Sequence, residues 1–174
     1  MIKNPTPSIR RATIDDASLL ADIGASTFFD TFAKDNTEED MTLYLASSFS
    51  PSLQAEELTN PLITFLVAEI DGVTVGYAKL ISESKPKVTE RTSIELNRIY
   101  VTLDWIGKGI GESILSACVE EAKQGGNERM WLAVWEKNER ARRFYEKSGF
   151  RVVGKKNFEL GKDIQTDLVM ELEL

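Results

Sequence analysis

The 174-residue chain reads as an α/β protein of the mixed α+β kind. It forms one domain over residues 1–174, built on a mixed, mostly antiparallel sheet of six to seven strands with helices on both faces. Three observations predict this. Residues 65–70 and 73–80 are strand-like runs joined by Asp71-Gly72, a strong short-range signature of an antiparallel hairpin. Residues 96–111 pass from an apolar, β-branched and aromatic stretch into a glycine-spaced loop, which opens onto a helical pattern at 112–122. A further strand, helix and pair of strands then close the chain, and a hairpin followed by a strand–helix–strand–helix unit implies a mixed sheet.

After a proline-punctuated start, residues 9–13 form a short first strand, and 13–16 supply capping residues for a helix in which Leu20, Ile23, Thr27, Phe28 and Thr31 recur at helical spacing. Thr37 is the N-cap of a second helix with acids in its first turn. Pro51 ends that helix, and a third helical piece covers 53–58. The polar, turn-rich stretch 82–87 is a loop before a strand at 93–101. Gly125-Gly126 stops the central helix. The continuously apolar run 130–135 suits a strand covered on both faces. A helix at 138–147 ends at Gly149, a fitting residue just past a helix end. Closing strands at 151–158 and 165–174 flank Gly161-Lys162-Asp163.

Composition narrows the chemistry. Histidine is absent, which removes Ser-His-Asp and Cys-His catalysis and the commonest zinc ligand, so no metal site is expected. Catalysis is left to carboxylates, tyrosine, lysine or the backbone. The single cysteine, Cys118, shares the apolar helix face of Ile114, Leu115 and Ala122 and reads as an inert core thiol. A net charge of −7 argues against nucleic acid and suits a cationic substrate. Much of it sits in residues 30–40, where Asp30, Asp35, Glu38, Glu39 and Asp40 oppose Lys34 alone. No apolar run is long enough to span a bilayer and residues 1–7 lack the apolar core of a secretory signal, so no membrane partner and a cytoplasmic location are expected.

Gly107, Gly109 and Gly111 let the backbone turn sharply and come close to a ligand without a Cβ. The first N–H groups of the helix behind them are unpaired and attract phosphate. Two familiar phosphate loops fail the spacing. A Walker loop needs Ser or Thr after Gly-Lys, where Gly109 stands; a dinucleotide fingerprint needs its third glycine at Glu112 or Ile114. Read alone, the glycines equally suit a turn that merely caps a helix.

The chain resembles the GNAT family of N-acetyltransferases over nearly its whole length. The family's Gln/Arg-x-x-Gly-x-Gly/Ala loop corresponds to Ile106-Gly107-Lys108-Gly109-Ile110-Gly111, departing only at Ile106, which has no side-chain donor. The family's Asn-x-x-Ala-x-x-Phe-Tyr-x-x-x-Gly-Phe is intact as Asn138, Ala141, Phe144, Tyr145, Gly149 and Phe150. Residues 134–141 and 160–167 are similar to bacterial PaiA-type polyamine acetyltransferases.

The resemblance implies acetyl-CoA as cosubstrate. The backbone of Ile99, Tyr100 and Val101 would line the acetyl group and pantetheine, while the N–H groups of Gly107, Lys108, Gly109, Ile110, Gly111 and Glu112 would hold the pyrophosphate. Asn138 would bond the pantetheine amides, and Arg142, Arg143 and Lys147 would meet the adenosine phosphate. Tyr145 would protonate the leaving thiolate, and Glu95 would act as general base, through water or with its pKa raised by burial. The plain alternatives are a core aromatic at Tyr145 and a strand carboxylate at Glu95 paired with Arg98 or Arg129. The expected acceptor is a small primary amine such as spermidine or spermine, with the acids of residues 30–40 as a negative rim to its groove. A protein or peptide amine and a non-catalytic acyl-CoA-binding module are the alternatives, and homodimerisation is left open.

Overall fold

The computed structural model describes residues 5–82 and 92–174. Seven strands form one sheet: β1 (Ser8–Arg11), β2 (Ile63–Ile70), β3 (Val73–Ser82), β4 (Ser93–Val101), β5 (Arg129–Trp135), β6 (Arg151–Leu160) and β7 (Asp163–Glu173), in the order β1-β2-β3-β4-β5-β7-β6. Every neighbouring pair is antiparallel except β4 and β5. The helices are α1 (Ala17–Phe32), α2 (Glu38–Ser48), α3 (Pro51–Thr59), α4 (Ile110–Gln124) and α5 (Glu139–Lys147). Among the described residues no helix is long and apolar enough to cross a membrane.

The alternation of β2 sorts the two layers. Leu66, Ala68 and Ile70 join α4 residues Ile114, Leu115 and Cys118 in the larger core, while Phe65 and Val67 pack with Leu20 and Ile23 of α1 on the other face. A third cluster joins Phe28 of α1, Met41 of α2, Phe49 and Leu160 of β6, tying the N-terminal helices to the last hairpin. Cys118 is fully buried, and burial pushes its thiol up to about 12, as an inert core residue requires.

Asp71 and Gly72 both take positive φ (49° and 77°), the conformation a two-residue hairpin demands. Two expectations shift. Residues 13–16 make a short 3₁₀ turn over Ile14–Asp16 before α1 begins at Ala17. Pro51 does not simply end α2: that helix stops at Ser48, and Pro51 opens α3 behind Ser50, whose hydroxyl accepts from the Leu53 N–H at 3.2 Å. Proline suits the first turn because its missing N–H has no partner to lose there. The loop expected at 82–87 lies outside the described residues apart from Ser82, the last residue of β3.

Two irregularities in β4 set up the functional face. Its register with β3 steps from Lys79↔Arg98 to Leu80↔Leu96, so Asn97 bulges out. Glu95, Arg98 and Tyr100 are thereby brought to the α1 side, while Ile94, Leu96, Ile99 and Val101 stay on the α4 side. The parallel pairing of β4 with β5 covers only Ser93↔Arg129, Ile94↔Met130 and Glu95↔Trp131. Beyond that point the two strands run on without partnering each other, and the sheet splays.

Candidate active site

A cavity of about 1020 Å³ occupies the splay and extends to both sheet faces. From Ile99 to Val101, β4 still bonds to β3 on one edge. Its other edge, which β5 has left, offers backbone N–H and C=O groups to an extended ligand, as an added strand would be received. Ile99, Tyr100 and Val101 all line the cavity, as expected from sequence.

The glycine loop lies at one end. Gly107 and Gly109 hold φ of 77° and 84°, and a Cβ on either would meet nothing within 4 Å. The left-handed backbone therefore demands glycine, and open space surrounds it. Gly109 is the N-cap of α4 with no side chain to offer the first N–H groups, so those donors are left for an anion. The side chains of this loop divide. Those of Lys108 and Ile110 do not line the cavity, the Ile110 side chain being core, 1% exposed, and the Lys108 ammonium lying over the Trp105 ring at 4.9 Å, so these positions have only backbone N–H groups to offer. Arg142 is turned away, donating to the Glu136 carbonyl at 2.9 Å and bracing the β5–α5 connection. Gly111 lines the cavity in the first turn of α4, and a Cβ added there would meet the Phe144 ring at 3.4 Å.

Glu112, Asn138, Arg143 and Lys147 do line this half, joined by Trp105 and Arg140, which the sequence reading passed over. Asn138 is the N-cap of α5, its Oδ1 accepting from the Ala141 N–H at 3.2 Å. That leaves its amide NH₂ as the donor for a ligand. These groups share one cavity with the start of α4, and Arg140, Arg143 and Lys147 bring to it the positive charge that an anion such as a diphosphate needs.

Tyr145 lies deep between the halves, only 9% exposed, with its ring edge-on to Phe144 and Phe150. Burial, with a smaller contribution from Cys118, holds its phenol well above the ordinary tyrosine range, so it stays protonated at physiological pH. Glu95 is 8% exposed and accepts from the Asn97 Nδ2 at 2.9 Å, so the bulge that turns the face also holds the carboxylate. Arg129, a candidate partner of Glu95, bonds instead to Glu171 and Glu173.

The other half is built by residues far apart in sequence. Phe28, Phe32, Tyr44, Trp135 and Phe158 form aromatic walls around Glu95, Arg98, Lys79, Lys156 and Asp167. Asp167 is 6% exposed and stands in register between Trp135 and Lys156; burial pushes its carboxyl up to about 6 against the pull of Lys156. The sequence carried one unused signal for it. Leu168 and Met170 are core, so alternation puts Asp167 on the opposite, groove-facing side of β7.

The acidic rim expected at residues 30–40 is not there. Asp30, Asp35, Glu38, Glu39 and Asp40 line none of this cavity. Asp40 pairs with the Thr37 cap and accepts from the Lys162 N–H at 2.7 Å, while Glu39 bonds to the Lys162 ammonium at 2.5 Å. Gly161 (φ 63°) lies so close that a Cβ would overlap the Asp40 backbone. Glu39 and Asp40 thus clamp α2 to the β6–β7 turn.

The match to family models covers residues 26–150 with the acetyltransferase (GNAT) family. The chain belongs to that family. It is an acyltransferase with acetyl-CoA as cosubstrate. An uncharacterized N-acetyltransferase of Mycobacterium tuberculosis is 34% identical over 159 residues, which are 91% of this chain and 98% of the relative. A spermidine N(1)-acetyltransferase of Thermoplasma acidophilum is 26% identical over 148 residues, 83% of this chain and 88% of the relative. The crystal structure of a PaiA N-acetyltransferase from Thermoplasma acidophilum with coenzyme A superposes with a TM-score of 0.80 at 24% identity, covering 98% of this chain and all of that one.

Proposed function

We propose that the chain acetylates a primary amine of a small molecule, which enters from the aromatic half while the acyl donor lies along the free edge of β4. The carrying observation is that one cavity holds the open β4 edge, Tyr145 and the buried carboxylates Glu95 and Asp167. Acetyl-CoA supplies the activated thioester, and coenzyme A leaves as the thiol. Asp167 and the aromatic walls receive the ammonium. Glu95, through water, or Asp167, with its pKa nearer neutrality, removes a proton so that the nitrogen lone pair can form the new C–N bond. The tetrahedral adduct loses its second N–H proton to water, and as the C–S bond breaks the Tyr145 hydroxyl gives its proton to the sulfur and recovers one from solvent. Because that phenol is a weaker acid than a thiol, the transfer is uphill on its own, and the Tyr145 O–H acts chiefly by hydrogen-bonding the sulfur as negative charge develops there.

Spermidine and spermine are the first acceptors to try, supported by the spermidine N(1)-acetyltransferase relative. Thiol release from acetyl-CoA across polyamines, other amines, amino acids and peptides tests the reading. Tyr145→Phe should lower turnover by ~10²–10⁴-fold with acetyl-CoA binding nearly unchanged. Full activity in that variant would make Tyr145 a packing residue and sink the assigned chemistry.

A further inference from the structure

Arg98 is a cation with no carboxylate in contact. Its guanidinium carbon lies 4.4 Å from the centre of the Phe49 ring, and one terminal nitrogen is wholly buried with no hydrogen-bond partner. Among the described residues no carboxylate comes within 4.0 Å of it. Directly across the strand pair stands Lys79, a second cation, which is neutralised: its ammonium bonds to Glu57 at 2.5 Å. In electrostatic reach of Arg98 stand the phenols of Tyr77, Tyr100 and Tyr44 and the Glu57 carboxylate, which is already bound to Lys79. Burying a charge in this way is costly unless something pairs with it, and Arg98 lines the cavity on its acceptor side.

We infer that Arg98 is the binding site for a carboxylate on the acceptor, so that the molecule acetylated is an amino acid rather than a polyamine. A guanidinium takes a carboxylate in a planar, two-bond fork, here with phenol hydroxyls ready to donate alongside. The same strand presents Glu95 to the amine end. The acceptor half thus carries a cationic group for one end of a zwitterion and carboxylates for the other. A polycation would bring a further positive charge to Arg98 and leave it unpaired. The inference rests on the amine-acetylation reading and narrows its substrate class.

Matched acceptors test it: phenylalanine against phenethylamine, lysine against cadaverine and ornithine against putrescine, with spermidine and spermine alongside. In the wild type the best amino acid should exceed its decarboxylated partner in kcat/KM by about 10–100-fold, the range a charged hydrogen-bonded contact supplies. Arg98→Met should bring that ratio close to one by raising KM for the amino acid, and Arg98→Lys should restore part of it. Preference for the decarboxylated amine in every pair, or for spermidine over all of them, overturns the inference and leaves the polyamine reading standing. The wild-type comparison needs no variant, so a misfolded Arg98→Met does not decide the matter. Should no amine be acetylated, thermal shifts with coenzyme A present separate the two claims. Stabilisation by amino acids but not by their decarboxylated partners, lost in Arg98→Met and partly kept in Arg98→Lys, keeps the carboxylate site and removes the acetylation reading. Equal shifts within each pair remove both.

Discussion

The two halves of the cavity are made in different ways. The coenzyme half is nearly continuous in sequence: the edge of β4, the Gly107–Gly109 turn, the start of α4 and the start of α5 all fall between residues 99 and 147. The acceptor half draws Phe28 and Phe32 from α1, Tyr44 from α2, Trp135 from β5, and Phe158 and Asp167 from the last hairpin. One half is a local motif that offers backbone N–H groups and a helix end. The other is a chance for variation, because each wall residue can change without disturbing the motif opposite. A chain built this way keeps one cosubstrate and is free to change the other.

The difference predicts that lesions will separate by half, and the largest separation is expected at Gly109. Gly109→Val places a β-branched residue at φ 84°, a strain of about 1–3 kcal/mol that the loop can relieve only by moving its N–H groups. Acetyl-CoA affinity, read by calorimetry or thermal shift, should fall by roughly 10–100-fold, while the order of preference among amines stays as in the wild type. An altered amine order with intact acetyl-CoA binding would show that the halves are not independent.

The same contrast decides what sequence could reveal. Asp71-Gly72, the glycine loop and the Asn138 cap are local signals, and each lies in the structure where its chemistry places it. Tyr145 and Glu95 were singled out by the family resemblance and both line the cavity, although the bulge at Asn97 that puts Glu95 and Arg98 on one face left no sign in the sequence. Arg142 was misjudged because a basic run does not disclose which cation faces inward; helix geometry gives Arg140 and Arg143 to the cavity and Arg142 to the Glu136 carbonyl. Glu39 and Asp40 were misjudged because their partner, Lys162, is more than 120 residues away. Pairings at that range leave no periodicity in the chain.

A second test addresses the acceptor half alone. Asp167 has a folded pKa near 6 against a usual 3.8. Burial therefore favours its protonated form: its relative stabilisation is fully present below about 3.8, declines as pH rises, and is lost above about 6. Asp167→Asn should consequently raise stability at pH 8 by about 1–3 kcal/mol, with little gain at pH 4. If Asp167 must be ionised to receive the amine, wild-type kcat/KM for the amine should rise through an apparent pKa near 6, and the variant should lose several-fold activity together with that limb. Acetyl-CoA affinity should hold. A variant that is no more stable at pH 8 and retains the limb would remove Asp167 from both roles.

The smallest effect is expected outside both halves, from Glu38→Gln, Glu39→Gln and Asp40→Asn together. An acidic patch near a groove can steer a cationic substrate even without touching it, so a rise in KM and a flatter salt dependence would be the outcome if these acids served the acceptor. The geometry argues otherwise. Glu39 and Asp40 are engaged with Lys162, and Asp40 also with Thr37, while none of the three lines the cavity. Their Debye-screened reach at physiological salt is about 8 Å. KM for any amine should therefore stay within about twofold of wild type between low and moderate salt. The melting temperature should fall slightly, because first-turn acids complement the end of α2 and the bond to the β6–β7 turn weakens. That fall should be greater at pH 7 than at pH 3, since the Lys162 N–H and then Thr37 hold the Asp40 carboxyl below its usual range and its contribution is lost as pH drops through that lowered value. A KM that rises severalfold and loses its salt dependence would restore these acids to the acceptor side and extend that half onto α2.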